Sequence, residues 1–124
     1  MRALQDRLPK ISLFFGYGPT EASEHVTCKA FKDLGESAVE VPILVGPPIP
    51  HTQIYIVDAR RQLVPVGVPG ELLTSGVGLA KGYLNRPDLA DEVFVPNTLV
   101  KNAQGYFGRM YRTGGPRDLN CDSQ

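Results

Sequence analysis

Residues 11–21 carry the sequence ISLFFGYGPTE, in which an almost unbroken apolar run passes directly into a turn with two glycines and a proline. Apolar residues on both faces are typical of a buried strand, and such strands are characteristic of parallel sheets. In open α/β sheets, ligands bind beyond the carboxyl ends of the strands. The stretch therefore predicts a buried parallel strand over residues 11–15 and a candidate ligand-binding turn over residues 16–21.

The chain of 124 residues is balanced in charge, with 13 Lys+Arg against 13 Asp+Glu. Because it has no basic run, the composition argues against a nucleic-acid-binding protein. The 13 glycines and 11 prolines predict short strands, many turns and little helix, within one domain. Cys28 and Cys121 lack the spacing of a zinc module or a disulfide framework. We expect a cytoplasmic protein with no membrane-spanning segment.

Hydrophobic periodicity outlines the elements around this turn. A short amphipathic helix is expected at Leu4 and Leu8, ended by Pro9, and an exposed loop over residues 32–40. Strands are predicted over residues 25–31, 52–57, 71–75 and 110–112. A helix is expected to begin at residues 85–88, where a proline suits the first turn and acidic residues favour the positive end of the dipole. A β-meander is the simplest arrangement, so the fold class is mixed α/β and β-rich.

The turn over residues 16–21 offers groups that suit a nucleotide. Tyr17 supplies a flat ring for a base, while backbone N–H groups and the Thr20 hydroxyl suit phosphate. Glu21 is a hard oxygen ligand of the kind that Mg²⁺ prefers. The standard fingerprints GxGxxG and GxxxxGK[ST] do not occur, so a nucleotide would be held in another way. On local chemistry alone, the alternative is a tight turn whose aromatic ring fills the core.

Three segments resemble motifs of the adenylate-forming enzymes, and most closely the adenylation domains of nonribosomal peptide synthetases. Residues 15–21, FGYGPTE, are similar to the YGPTE signature, and residues 70–84, GELLTSGVGLAKGYL, to the GEL…G.G.ARGYL segment. Residues 111–114, YRTG, resemble the start of the YRTGD stretch. The motifs follow the family's order. The resemblance implies a partial AMP-binding core over residues 1–114, and it leaves residues 115–124 as an atypical tail, either an insertion or foreign sequence.

The fold implied by the resemblance is a fragment of the adenylate-forming N-terminal core, with the end of an α/β subdomain and most of a β-barrel-like subdomain. In such enzymes the turn binds ATP or AMP. The resemblance implies that the ring of Tyr17 stacks on adenine, that Thr20 contacts the α-phosphate and that Glu21 ligates Mg²⁺. Gly16 and Gly18 belong to the same nucleotide-binding turn. By the resemblance, Thr20 and Glu21 carry the catalytic roles.

The amino-acid side-chain pocket is implied to include Gly16, Glu24 and His25. A carboxylate such as Glu24 in this pocket would suit a cationic or polar substrate side chain. The alternatives from the residues alone are a solvated surface carboxylate for Glu24 and a hydrogen-bonded polar residue with no catalytic role for His25.

Some positions depart from the family pattern. Phe15 replaces an asparagine, Lys81 replaces the arginine of ARGYL, and Gly115 replaces the aspartate that binds the ribose hydroxyls. Asp118 is expected to be that aspartate, displaced by an insertion of residues 115–117, or else the tail is unrelated. No segment resembles the family's phosphate loop, so we expect no catalysis from this chain alone.

The resemblance implies a parent enzyme that activates a carboxylic acid, expected to be an amino acid, with ATP and Mg²⁺ to an acyl adenylate. The acyl group then passes to the phosphopantetheine thiol of a carrier protein, and the remaining adenylation subdomains are further partners. Neither nucleic acid nor membrane is an expected partner. Two alternatives stay open: a non-catalytic remnant or splice product that only binds or packs, and, within the family, an acyl-CoA synthetase.

Overall fold

The computed structural model describes Arg7 and residues 12–31 and 46–116. The strands are β1 (Leu13–Tyr17), β2 (Thr27–Phe31), β3 (Thr52–Val57), β4 (Glu71–Gly76), β5 (Phe94–Pro96) and β6 (Arg109–Pro116), and one α-helix, α1 (Pro87–Val93), precedes β5. The predicted β-rich class is confirmed. The helix expected at Leu4 and Leu8 lies outside the described residues apart from Arg7, which is helical and exposed, and the loop expected over residues 32–40 lies wholly outside them.

The first two strands form an antiparallel hairpin, in which Leu13 pairs with Phe31 and Tyr17 with Thr27. The predicted parallel pairing of β1 is therefore wrong, because its neighbour β2 runs antiparallel to it. The physical reason is the short connection: residues 18–26 join the strands, whereas a parallel crossover needs about a dozen residues or more. Burial on both faces is also not found within the described residues, because Phe14 is 64% exposed.

The other four strands form one antiparallel sheet in the order β3-β4-β6-β5. The β-meander is thus wrong, since α1 carries the chain past β4 and β6 returns between β4 and β5. Strand β4 is central, and its residues 72–76 are all buried. The core of the sheet consists of Val57, Leu73, Val95 and Met110.

A charged pair crosses the middle of this sheet. Glu71 accepts two hydrogen bonds of 3.2 Å from the guanidinium of Arg112. The Glu71 side chain is 14% exposed and that of Arg112 is 35% exposed. A bidentate pair in this setting adds geometric specificity between β4 and β6 as well as energy. The register of the two strands shifts between Glu71 and Leu73.

A turn follows β3, and the predicted helix start is confirmed. Asp58 closes the turn after β3, because its Oδ1 accepts from the backbone N–H groups of Arg60 and Gln62. Helix α1 begins at Pro87 as expected. Strand β6 is longer than predicted and continues to Pro116, across the predicted domain boundary at residues 114/115, which stays a prediction. None of the helices in the described part of the chain has the length and apolar character needed to cross a membrane.

Candidate functional site

The turn that follows β1 is closed by its own backbone hydrogen bonds. The carbonyl of Pro19 accepts from the N–H groups of Ala22 (3.0 Å) and Glu24 (3.1 Å), and the N–H of Val26 donates to the carbonyl of Tyr17 (2.8 Å). Pro19 is extended at φ −76° and ψ 155°, and a single 3₁₀ turn follows over Thr20–Ala22. The predicted turn is therefore a compact loop between two paired strands.

Two consecutive residues of this loop adopt the left-handed conformation, Ser23 at φ 61° and Glu24 at φ 65°. Non-glycine residues rarely do so, and such strain tends to occur where function requires a fixed backbone. The return path runs directly over Gly18, because a Cβ there would lie 2.7 Å from both the carbonyl oxygen of Glu24 and the backbone nitrogen of Val26. Glycine at position 18 is therefore required by close backbone packing.

Gly16 and His25, both expected in the substrate pocket, lie against each other. A Cβ built on Gly16 would overlap the imidazole ring of His25, at its Cδ2 and Nε2 atoms. The absent side chain of Gly16 thus makes room for the ring. Glu24 and His25 are both exposed. The structure therefore brings two of the three predicted pocket residues into contact, with Glu24 next to them along the chain.

The nucleotide-binding candidates differ in exposure. Tyr17 is half-buried at the end of β1, and Thr20 is exposed at the start of the 3₁₀ turn. Glu21 is half-buried and accepts a hydrogen bond from a residue that is distant in sequence. Asp118, the candidate ribose ligand, lies outside the described residues.

Glu21 is contacted by the loop that joins β4 to α1, residues 77–86, which we call the β4–α1 loop. The hydroxyl of Tyr83 donates to Oε1 of Glu21 at 2.5 Å. The backbone N–H of Ala80 donates to the carbonyl of Glu21 at 2.8 Å, and the Ser23 hydroxyl donates to the carbonyl of Gly78 at 2.8 Å. The turn of the hairpin is thus hydrogen-bonded to the β4–α1 loop at three points.

The electrostatics at Glu21 follow from this contact. The hydrogen bond from Tyr83 lowers the pKa of Glu21, burial opposes that shift, and the hydroxyl of Tyr111 adds a smaller lowering effect. The same hydrogen bond, with burial, raises the pKa of Tyr83. At neutral pH, Glu21 is therefore an ionised acceptor and Tyr83 a protonated donor.

The chemistry of these donors decides whether Mg²⁺ fits. Within residues 12–31 and 46–116, no cluster of three or more His, Cys, Asp or Glu side chains could hold a metal ion by itself. Mg²⁺ commonly binds through one or two carboxylates together with substrate phosphates and water. Glu21, a carboxylate kept ionised, fits that mode, in which the phosphates would supply the other ligands.

Sequence reasoning missed Tyr83 and Tyr111 as site residues. Both lie within the motif segments at residues 70–84 and 111–114, but they carried no chemical role there. The contact of Tyr83 with Glu21 depends on the packing of the β4–α1 loop against the hairpin, and the effect of Tyr111 depends on the position of β6. Hydrophobic periodicity reveals neither. The sequence feature that could have indicated them is the presence of a tyrosine in each of these two motifs.

Several known proteins are similar to this chain. A family model described as AMP-binding enzyme matches residues 1–84. Bacitracin synthase 3 of Bacillus licheniformis is 44% identical over 109 residues, which is 88% of this chain and 2% of that protein. Tyrocidine synthase 3 of Brevibacillus parabrevis is 42% identical over 111 residues, 90% of this chain and 2% of that protein. The chain thus spans only 2% of the length of either relative.

Solved structures match the fold as well. A four-domain nonribosomal peptide synthetase bound to AMP and glycine superposes with a TM-score of 0.70 at 37% identity, covering 90% of this chain and 8% of that one. The N-terminal subdomain of Klebsiella oxytoca NpsA in complex with anthranilyl-AMSN superposes with a TM-score of 0.64 at 31% identity. That match covers 85% of this chain and 25% of that one.

Proposed function

The chain belongs to the AMP-binding enzyme family, and we propose that it forms part of an adenylation domain that activates a carboxylic acid with ATP. An amino acid is the proposed acid, because the relatives are peptide synthetases and one matching structure is bound to AMP and glycine. The observation that carries the proposal is the fastened turn at residues 16–25, where a half-buried ring, a hydroxyl and an ionised carboxylate follow one another along the chain.

In the proposed reaction, an oxygen of the substrate carboxylate bonds to the α-phosphorus of ATP, and the bond from that phosphorus to the pyrophosphate oxygen breaks. The substrate is already ionised at neutral pH, so no general base is needed. Catalysis then consists of positioning and of stabilising phosphate charge. In the second step, the phosphopantetheine thiol of a carrier protein attacks the acyl carbon and AMP leaves.

Each residue of the turn has a proposed role in the first step. The ring of Tyr17 stacks on adenine, and the hydroxyl of Thr20 donates to the α-phosphate. Glu21 would hold Mg²⁺, which when bound supplies positive charge beside the phosphates. Gly16, Glu24 and His25 line the pocket for the substrate side chain.

A second candidate is a non-catalytic module that only packs against a partner or a sister subdomain. Gly115, in place of the family's ribose-binding aspartate, favours it. The two candidates differ in one property: an adenylation core binds AMP, and a packing module does not.

Calorimetry with AMP and Mg²⁺ separates them. We expect the full chain to bind AMP, and Tyr17→Ala to weaken binding by roughly tenfold or more, because base–aromatic stacking contributes about 1–3 kcal/mol. Tyr106→Ala is the matched control, since Tyr106 is 69% exposed and distant in sequence from the turn. Absence of AMP binding by the wild-type chain, with its fold intact, would favour the packing module.

A further inference from the structure

The Glu21 carboxylate and its own backbone are both held by the β4–α1 loop. The hydroxyl of Tyr83 donates to Oε1 of Glu21, and the backbone N–H of Ala80 donates to the Glu21 carbonyl. Glu21 and Tyr83 are 62 residues apart in sequence. A hydrogen bond between residues this far apart in sequence forms only when the hairpin turn packs against the β4–α1 loop.

The hydrogen bond itself is of the strong kind. An O–H to carboxylate distance of 2.5 Å lies in the charge-assisted range. Its geometry restricts rotation of the Glu21 side chain, because one carboxylate oxygen is fixed in space by the phenol. Glu24, three residues further on, is exposed.

The donor is also fixed. The ring of Tyr83 packs at 6.0 Å from that of Phe94, which in turn lies 5.2 Å from the ring of Tyr111. The Arg109 guanidinium covers the Phe94 ring at 5.0 Å, and its Nη2 donates to the carbonyl of Lys81. This row of side chains connects the first residues of β5 and of β6 to the hydroxyl that donates to Glu21.

We infer that Tyr83 is a positioning residue for Glu21: its hydroxyl fixes the carboxylate in one orientation before any ligand binds. The functional consequence rests on the proposed function, because an orientated carboxylate is what a metal-bound nucleotide would use. The positioning itself is a property of the folded chain. Loss of a hydrogen-bonding neighbour of a metal-binding side chain typically costs about 10–100-fold in metal affinity.

The direct test is side-chain NMR on the full chain labelled with ¹³C-glutamate. In the wild type, the methylene couplings of Glu21 should report one rotamer, and in Tyr83→Phe they should average, because the ring remains and only the hydroxyl is lost. Tyr106→Phe, which removes an exposed hydroxyl, should leave them unchanged. A single Glu21 rotamer in Tyr83→Phe would overturn the inference.

A second variant covers the case in which Tyr83→Phe does not fold. Glu21→Ala keeps the phenol and removes its acceptor, so the ¹³Cζ resonance of Tyr83 should shift, while that of Tyr106 should stay in place. An unmoved Tyr83 resonance in the folded variant would show that the contact does not exist in solution.

Ligand affinity then connects positioning to function. Tyr83→Phe should weaken binding of Mg²⁺-ATP by roughly tenfold and leave binding of Mg²⁺-free AMP unchanged. Equal affinity for Mg²⁺-ATP in both proteins would overturn the functional consequence. If the wild-type chain binds no nucleotide, the proposed function fails, and the NMR measurement alone decides the positioning.

Discussion

The four-stranded sheet and the β1–β2 hairpin are stabilised in different ways. In the sheet, β4 is buried along residues 72–76, and its Leu73 belongs to the apolar core. In the hairpin, Phe14 is 64% exposed, and the turn depends on close backbone packing and on hydrogen bonds to the β4–α1 loop. The candidate site lies on the hairpin. Its geometry is therefore set by contacts with the β4–α1 loop as well as by its own strands.

The largest effect is expected in the sheet. Leu73→Ala removes a side chain that is 1% exposed and leaves a cavity, which should lower the free energy of unfolding by about 2–5 kcal/mol. Leu84→Ala, at a position 90% exposed, should change it by no more than about 0.5 kcal/mol. Urea unfolding measures both. Equal effects would mean that the sheet does not contain the stabilising core.

The hairpin should be sensitive to backbone packing instead. In Gly18→Ala, the new Cβ would meet backbone atoms at 2.7 Å, so a loss of roughly 1–3 kcal/mol is expected. In Gly16→Ala, the three atoms nearest to the new Cβ all belong to the exposed side chain of His25, which is able to rotate away, so the cost should be about 0.5 kcal/mol or less. A larger loss for Gly16→Ala than for Gly18→Ala in urea unfolding would contradict this account of the turn.

These two regions also differ in how far the sequence predicts them. The alternation of Gln53 and Tyr55 with apolar neighbours identified β3, and Pro87 identified the start of α1, because both signals are local. The pairing of β1 was not predictable from its apolar run, since Phe14 and Phe15 look the same in a parallel or an antiparallel strand. The order β4-β6-β5 depends on where α1 carries the chain, which no single segment encodes.

The candidate site likewise contains residues that local sequence identifies and a residue that only the tertiary fold identifies. Tyr17, Thr20 and Glu21 were identifiable because they are close together in sequence and chemically distinctive. Tyr83 was not, because its role depends on a contact with a residue far away in sequence. The contiguous part of the site was therefore predictable, and the residue that fixes its geometry was not.

The smallest expected effect is a dependence of stability on pH through Glu21. Its folded-state pKa is lowered from an ordinary value of 4.5. The ionised carboxylate therefore stabilises the fold above pH 4.5, and this contribution is lost as the pH falls through the lower, folded-state pKa. Unfolding of the wild type and of Glu21→Gln should differ at neutral pH and converge in acid. Glu92→Gln, an exposed substitution on α1, is the matched control.

The central claim is that the turn at residues 16–21 binds an adenine nucleotide. Backbone amide shifts of the ¹⁵N-labelled chain, recorded during titration with AMP, test it most directly. We expect saturable shifts that are largest over residues 16–25 and extend through the β4–α1 loop at Ala80 and Tyr83, with little change at Val57 or Met110 in the core of the sheet. Shifts that leave residues 16–25 unmoved while the chain remains folded would contradict the claim.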